Sequence, residues 1–230
     1  MKKFPLIASA LLALLSGCAS VSVVGVRERA EAVRPPAQFY VADFDTRYGE
    51  WNITSQSRTH EQYRRETANA LAEQLTANLN AYLGPARRVG KARRAPADGW
   101  LITGRFIRVS EGNPAARIIV GLGAGGSKME TETIVIEGAS GRPVLQFATT
   151  GGSNAMPGMI VSSGPAGAVS NAVQQAGRGV RDDTKRTARM ITASLTEYMA
   201  HRGWIDEARL KVKRPGQFQL LQPQGAPRRR

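Results

Sequence analysis

The alternation of hydrophobic and polar positions changes period several times along the chain, and each change predicts an element. Leu6 to Leu15 (LIASALLALL) is almost wholly apolar, yet far shorter than the ~20 residues a membrane-spanning helix needs; with Lys2 and Lys3 before it, it has the form of an export signal over residues 1–17. Residues 18–37 carry Val, Arg, Ala and Pro with neither period, which predicts a tether closing at Pro35-Pro36. Gln38 to Phe44 (QFYVADF) is rich in aromatic and β-branched residues and predicts a strand. Thr59 to Leu83 then places Ala68, Leu71, Ala72, Leu75, Leu79 and Leu83 on one helical stripe, stopped by Gly84-Pro85.

Further on, Trp100 to Ser110 (WLITGRFIRVS) alternates as a strand does, and Arg117 to Val120 offers a short additional run. Met129 to Glu137 and Pro143 to Thr149 predict a hairpin turning through Gly138-Ala139-Ser140-Gly141. A second helix is expected to open at Asp182-Asp183, whose charges suit a helix N-terminus, and to run through Ile191, Leu195 and Met199 to a stop at Gly203. Gly151 to Arg181, rich in Gly, Ala and Ser, reads as an exposed loop that is either a docking surface or a linker. The order predicts an α+β fold over residues 38–205: a two-layer sandwich, with a mixed sheet of four or five strands and two helices packed on one face.

Composition changes that picture at its ends. The chain has a net charge of +14, with 32 Lys and Arg against 18 Asp and Glu. Two of those positive charges lie in the export signal and seven lie in Arg209 to Arg230 without an acid among them, leaving about +5 for the stretch between. Residues 206–230 therefore read as a basic disordered tail, its regular structure broken by Pro215, Gly216, Pro223, Gly225 and Pro227. So basic a chain would ordinarily point to nucleic acid. Export excludes that partner and leaves lipid headgroups, lipopolysaccharide and peptidoglycan as the acidic polymers within reach.

Candidate chemistry is sparse. His60 and His201 are the only histidines and neither has a companion at metal-ligand spacing; both read as residues of helix ends. Gly121-Leu122-Gly123-Ala124-Gly125-Gly126 has the glycine density of a phosphate loop, but Lys128 to Thr131 follows as a strand where a phosphate site needs a helix N-terminus. Glu130 and Glu132 share a strand face and read as solvated surface. Arg87, Arg88, Lys91, Arg93 and Arg94 form a dense basic stretch, either a solvated connection or an edge that contacts an anion or a partner, as do Arg228, Arg229 and Arg230 at the chain's end. No catalytic residue, cofactor or metal is assigned, and the chain is expected not to be an enzyme.

Leu15-Ser16-Gly17-Cys18 places a branched apolar residue and two small ones before the single cysteine of the chain, and resembles the lipobox of bacterial lipoproteins. The resemblance implies that Cys18 becomes the fatty-acylated first residue of the mature protein, and Ala19 after it implies the outer membrane, facing the periplasm. With its thiol in lipid, no disulfide is available. The Gly104-Arg105-Phe106 strand, Gly112-Asn113, Arg117, the Gly121-x-Gly123-x-Gly125 turn and the Gly138 to Val144 hairpin resemble the lipoproteins grouped as domain of unknown function 4410. That family implies an envelope lipoprotein domain and names no substrate. The expected function is a membrane-anchored, non-catalytic accessory or assembly factor that binds an envelope protein or complex. The alternative is a module binding peptidoglycan or lipopolysaccharide.

Overall fold

A computed structural model describes residues 21–29, 33–54, 58–92, 94–112, 126–153 and 165–205. The elements are β1 (Val21–Glu28), β2 (Gln38–Ala42), β3 (Glu50–Asn52), α1 (His60–Tyr82), β4 (Ala86–Gly90), β5 (Gly99–Ser110), β6 (Ser127–Glu137), β7 (Pro143–Ser153) and α2 (Pro165–His201). Among the described residues they form one open mixed sheet and two helices, the α+β arrangement expected.

The sheet has seven strands, not four or five: their order is β1-β7-β6-β5-β2-β4, with β3 beside the last residues of β5. β2 is parallel to both β4 and β5, and β3 is parallel to β5. The remaining pairs are antiparallel. Three of the seven were missed. β1 occupies much of the expected tether, where the alternation Val21, Val23 is interrupted by a bulge between Val24 and Arg27 and by Gly25 at φ 65°. β3 spans only three residues. β4 holds Arg87 and Arg88, so the expected basic connection is in part an edge strand; charge on such a strand discourages a further strand from pairing with it.

Local chemistry explains the helix ends. Thr59 caps α1 by accepting from the Gln62 amide while the Gln62 side chain accepts from the Thr59 amide, a reciprocal capping box. At the end of α2, Gly203 takes φ 71°; its amide bonds the Ala200 carbonyl and the Trp204 amide bonds Met199, the closure that Gly's freedom at positive φ allows. The start of α2 differs from expectation: it begins at Pro165, not at Asp182, so residues 165–181 are helical rather than loop. Gly151 to Ser153 complete β7. Asp183 lies within the helix with its side chain buried, not at an exposed N-terminus.

The core lies between one sheet face and the helices. Five of the six stripe residues of α1, Ala68 through Leu79, are buried there and Leu83 is partly so, facing Phe39, Val41, Trp100, Ile102 and Phe106. α2 adds Met190, Ile191, Leu195 and Tyr198. Trp100 is edge-on to Phe39 and Trp204 and tilted against Tyr198, with ring centroids 5.8–6.3 Å apart. Each such large side chain contributes about 1.5–3 kcal/mol on burial. β1 is fastened at its far end too: Arg29 pairs with Glu137 at 2.8 Å, and Arg202 of the α2 end donates to the Arg29 carbonyl at 2.6 Å. Cys18, the signal segment, Arg117 to Val120 and the tail 206–230 lie outside the described residues. Among the described residues no helix is long and apolar enough to cross a membrane.

Candidate functional site

Because side chains alternate along a strand, the residues between the core positions point to the opposite side of the sheet. There a small second cluster, Tyr40, Ala42 and Leu101 with Val89, Ala95 and Ile136, is covered by the chain between β4 and β5. Among the described residues both helices pack on the other face, and neither covers the rest of this one. Its centre is a ladder of alternating charge: the Arg105 guanidinium donates to Glu132 at 2.6 Å, Gln146 donates to the other Glu132 oxygen at 2.7 Å, and Arg108 reaches Glu50 at 2.9 Å and Glu130 at 3.8 Å. The pairing with Glu50 holds the Arg108 guanidinium above its ordinary pKa. Glu130 and Glu132 thus share the expected face, but as partners of arginines rather than as lone solvated acids.

The expected basic cluster is divided by the same alternation. Arg87 stands over the Tyr40 ring at 4.8 Å and belongs to the open face. Its neighbour Arg88 turns to the helix side, where it donates to Asp43 at 2.6 Å, to Asn69 and to Glu73 at 3.4 Å. The Asp43 hydrogen bond raises the Arg88 pKa. Arg88 is a fastening between β4, the end of β2 and α1, not a free cation. Lys91 and Arg94 are exposed, while Arg93, Arg228, Arg229 and Arg230 lie outside the described residues. His60 opens α1 and is exposed; His201 closes α2, with Nε2 4.0 Å from Glu197.

A buried polar corner escaped the sequence reading. It lies at the end of the sheet where β5 stops and β6 starts. Glu111, 2 % exposed, accepts from the Thr54 amide at 2.7 Å and the Thr54 hydroxyl at 3.1 Å, and the Tyr63 phenol bonds it as well. Burial first, and the nearby Glu111 charge second, push the Tyr63 phenol far above its ordinary range, so it stays protonated and donates. Asp183, fully buried, accepts from Ser127 at 2.7 Å and from Arg186 at 3.1 Å. Next along the sheet, the Thr131 and Thr149 hydroxyls meet at 2.7 Å. Threonines on β-strands and acids near a helix look solvent-facing in sequence, which is why no pattern marked this corner. Among the described residues no group of three or more His, Cys, Asp or Glu is placed to hold a metal ion.

Residues 36–170, more than half of the chain, match the family described as domain of unknown function DUF4410. The chain belongs to that family. The DUF4410 match runs from just before β2 into the first turns of α2, and so takes in the open face and the charge ladder but not β1. Among curated proteins none matches. Three solved structures show distant likeness. One is the PelC dodecamer of Paraburkholderia phytofirmans, at 10% identity over 70% of this chain and 96% of that one, with a TM-score of 0.35. Another is a neuraminyllactose-binding hemagglutinin homolog of Helicobacter pylori, at 15% identity over 76% and 93%, TM-score 0.40. The third is protein XCC0632 of Xanthomonas campestris, at 13% identity over 71% and 91%, TM-score 0.34. Likeness at this distance carries no argument about function.

Proposed function

We propose that this DUF4410 protein is a lipid-anchored, non-catalytic accessory factor of the bacterial cell envelope. Cys18 carries the lipid, the outer membrane holds it, and the folded domain faces the periplasm, where its open sheet face binds an envelope protein. The observation that carries the reading is the charge ladder on the face left bare by the helices. Arg105, Glu132, Arg108 and Glu130 set both signs of charge side by side. A surface of mixed sign complements another protein's surface, and it repels a uniformly acidic polymer at its carboxylates.

Photo-crosslinking in cells tests this. A crosslinking residue at Ile134, between Glu132 and Ile136 on the open face, is expected to give a discrete protein adduct, and one at exposed Ala77 on α1 none. Adducts from Ala77 alone would overturn the assignment of the face. A second reading, binding of peptidoglycan or lipopolysaccharide, has its own support in exposed Arg87 on the edge strand with Lys91 and Arg94 close after it in the chain. It predicts polymer-bound material that is lost in high salt.

A further inference from the structure

The anchor and the fold meet with almost no chain between them. β1 begins at Val21, so only Ala19 and Ser20 separate it from Cys18. Fully extended, those three residue steps span at most about 10 Å. More length cannot be released cheaply, because Val21 pairs with Gly151 and the Val21 and Val23 side chains are 3 % and 1 % exposed in the core. From this we infer that the pole at which β1 begins is the part of the domain held at the headgroups; the inference rests on lipidation of Cys18.

Register defines that pole. Val21 is level with Gly151, Ser127 is level with Ser153, and Ser110 is level with Lys128, so the start of β1, the start of β6 and the ends of β5 and β7 all lie there. The buried corner of Glu111 and Asp183 closes the core at the same end. Exposed Lys128, Arg181 and Lys185, and Arg58 and Arg65 around the start of α1, lie at or near it against exposed Asp182, Glu61 and Glu66, an excess of positive charge that suits anionic headgroups. The opposite pole holds the β6–β7 turn at Ala139 and the Gly203 end of α2. Along β6 the two poles are roughly 30 Å apart, at about 3.3 Å per residue.

The test uses the full lipidated protein. Its one cysteine is blocked by lipid, so a cysteine introduced at Lys128 or at Ala139 takes a fluorophore uniquely. In phosphatidylethanolamine–phosphatidylglycerol vesicles carrying a headgroup nitroxide, the Lys128→Cys label is expected to be quenched several-fold more strongly than the Ala139→Cys label. Inserting about fifteen Gly and Ser residues between Ser20 and Val21 should bring both to the same weak quenching, since a flexible linker of that length spans ~20 Å. Equal quenching without the insertion, or stronger quenching at Ala139, would overturn the orientation while a lipid found on Cys18 by mass leaves the anchoring intact. An unmodified Cys18 would overturn both. Strong quenching at Lys128 that survives the insertion would overturn the short tether as the cause.

Discussion

Gly104→Ala is the sharpest probe of how this sheet is built. A Cβ at position 104 would lie 2.1 Å from the Glu132 carbonyl oxygen of the paired strand and 2.6 Å from the Phe44 ring. Phe44 cannot retreat freely, because the next residue, Asp45, exchanges backbone hydrogen bonds with β5: its amide donates to the Gly104 carbonyl at 2.8 Å and its carbonyl accepts from Phe106 at 3.0 Å. Forcing a methyl into so closed a place costs about 1–3 kcal/mol. Restricting the unfolded chain returns about 0.4–1 kcal/mol, since alanine has fewer conformations to lose. The net loss is about 1–2 kcal/mol. In a domain of this size that lowers the melting temperature by roughly 2–8 °C. Gly84→Ala is the matched control: its Cβ meets nothing within 4 Å and its φ is not positive, so only the unfolded-state gain remains and stability should hold or rise slightly. Thermal unfolding of both variants beside the parent measures the difference. A Gly104→Ala protein as stable as Gly84→Ala would refute the close approach of Phe44 and β6 to this glycine.

Arg88→Ala should destabilise by about 1–2 kcal/mol, because it leaves Asp43 without its 2.6 Å partner, whereas Arg87→Ala, which gives up only a stacking contact on Tyr40, should lose about 0.5–1 kcal/mol; urea unfolding of the pair checks the order. Leu75→Ala, at a position with no exposed surface between α1 and the sheet, should lose about 2–5 kcal/mol by the same measurement. The Glu137 carboxyl is held below its ordinary pKa of 4.5, first by the Ser140 hydroxyl and then by Arg29. A carboxyl whose folded-state pKa is depressed adds stability above its unfolded-state value, and that stability disappears as pH falls through the folded value. Stability of the parent should therefore fall on acidification below pH about 4.5, and Ser140→Ala should flatten that fall; an identical acid profile in the two proteins would remove Ser140 from the linkage.

What could be read in the sequence was what repeats with one clear period. The α1 stripe, the Thr59 start, the β6–β7 hairpin and the Gly203 stop were legible because a period of 3.6 or 2 runs uninterrupted to a residue that ends it. β1 was not, since Gly25 and the bulge break its alternation after two valines and the Pro-rich stretch behind it gives the whole region a tether's composition. β4 hid behind two arginines, and only the fold shows that alternation sends Arg87 outward and Arg88 to Asp43 and α1. The first half of α2 lacks the large apolar residues that mark a stripe. Asp183 misled directly: an acid pair looks like a helix N-terminus, but here one member is buried against Ser127. The buried corner joins residues from the chain before α1, from α1 itself, from the β5 end, from β6 and from α2, and pairings across such distances leave no local pattern.

The proposed anchoring of the folded domain through Cys18 is tested most directly by the intact mass and N-terminal peptide of the protein extracted from bacterial membranes, beside a Cys18→Ser variant grown with a fatty-acid probe. The expected result is a mature chain that begins at Cys18, bears a diacylglyceryl group on sulfur and an acyl group on nitrogen, and loses all probe labelling on substitution. A chain that retains residues 1–17, or a free Cys18 thiol with labelling unchanged in the Ser variant, would contradict it.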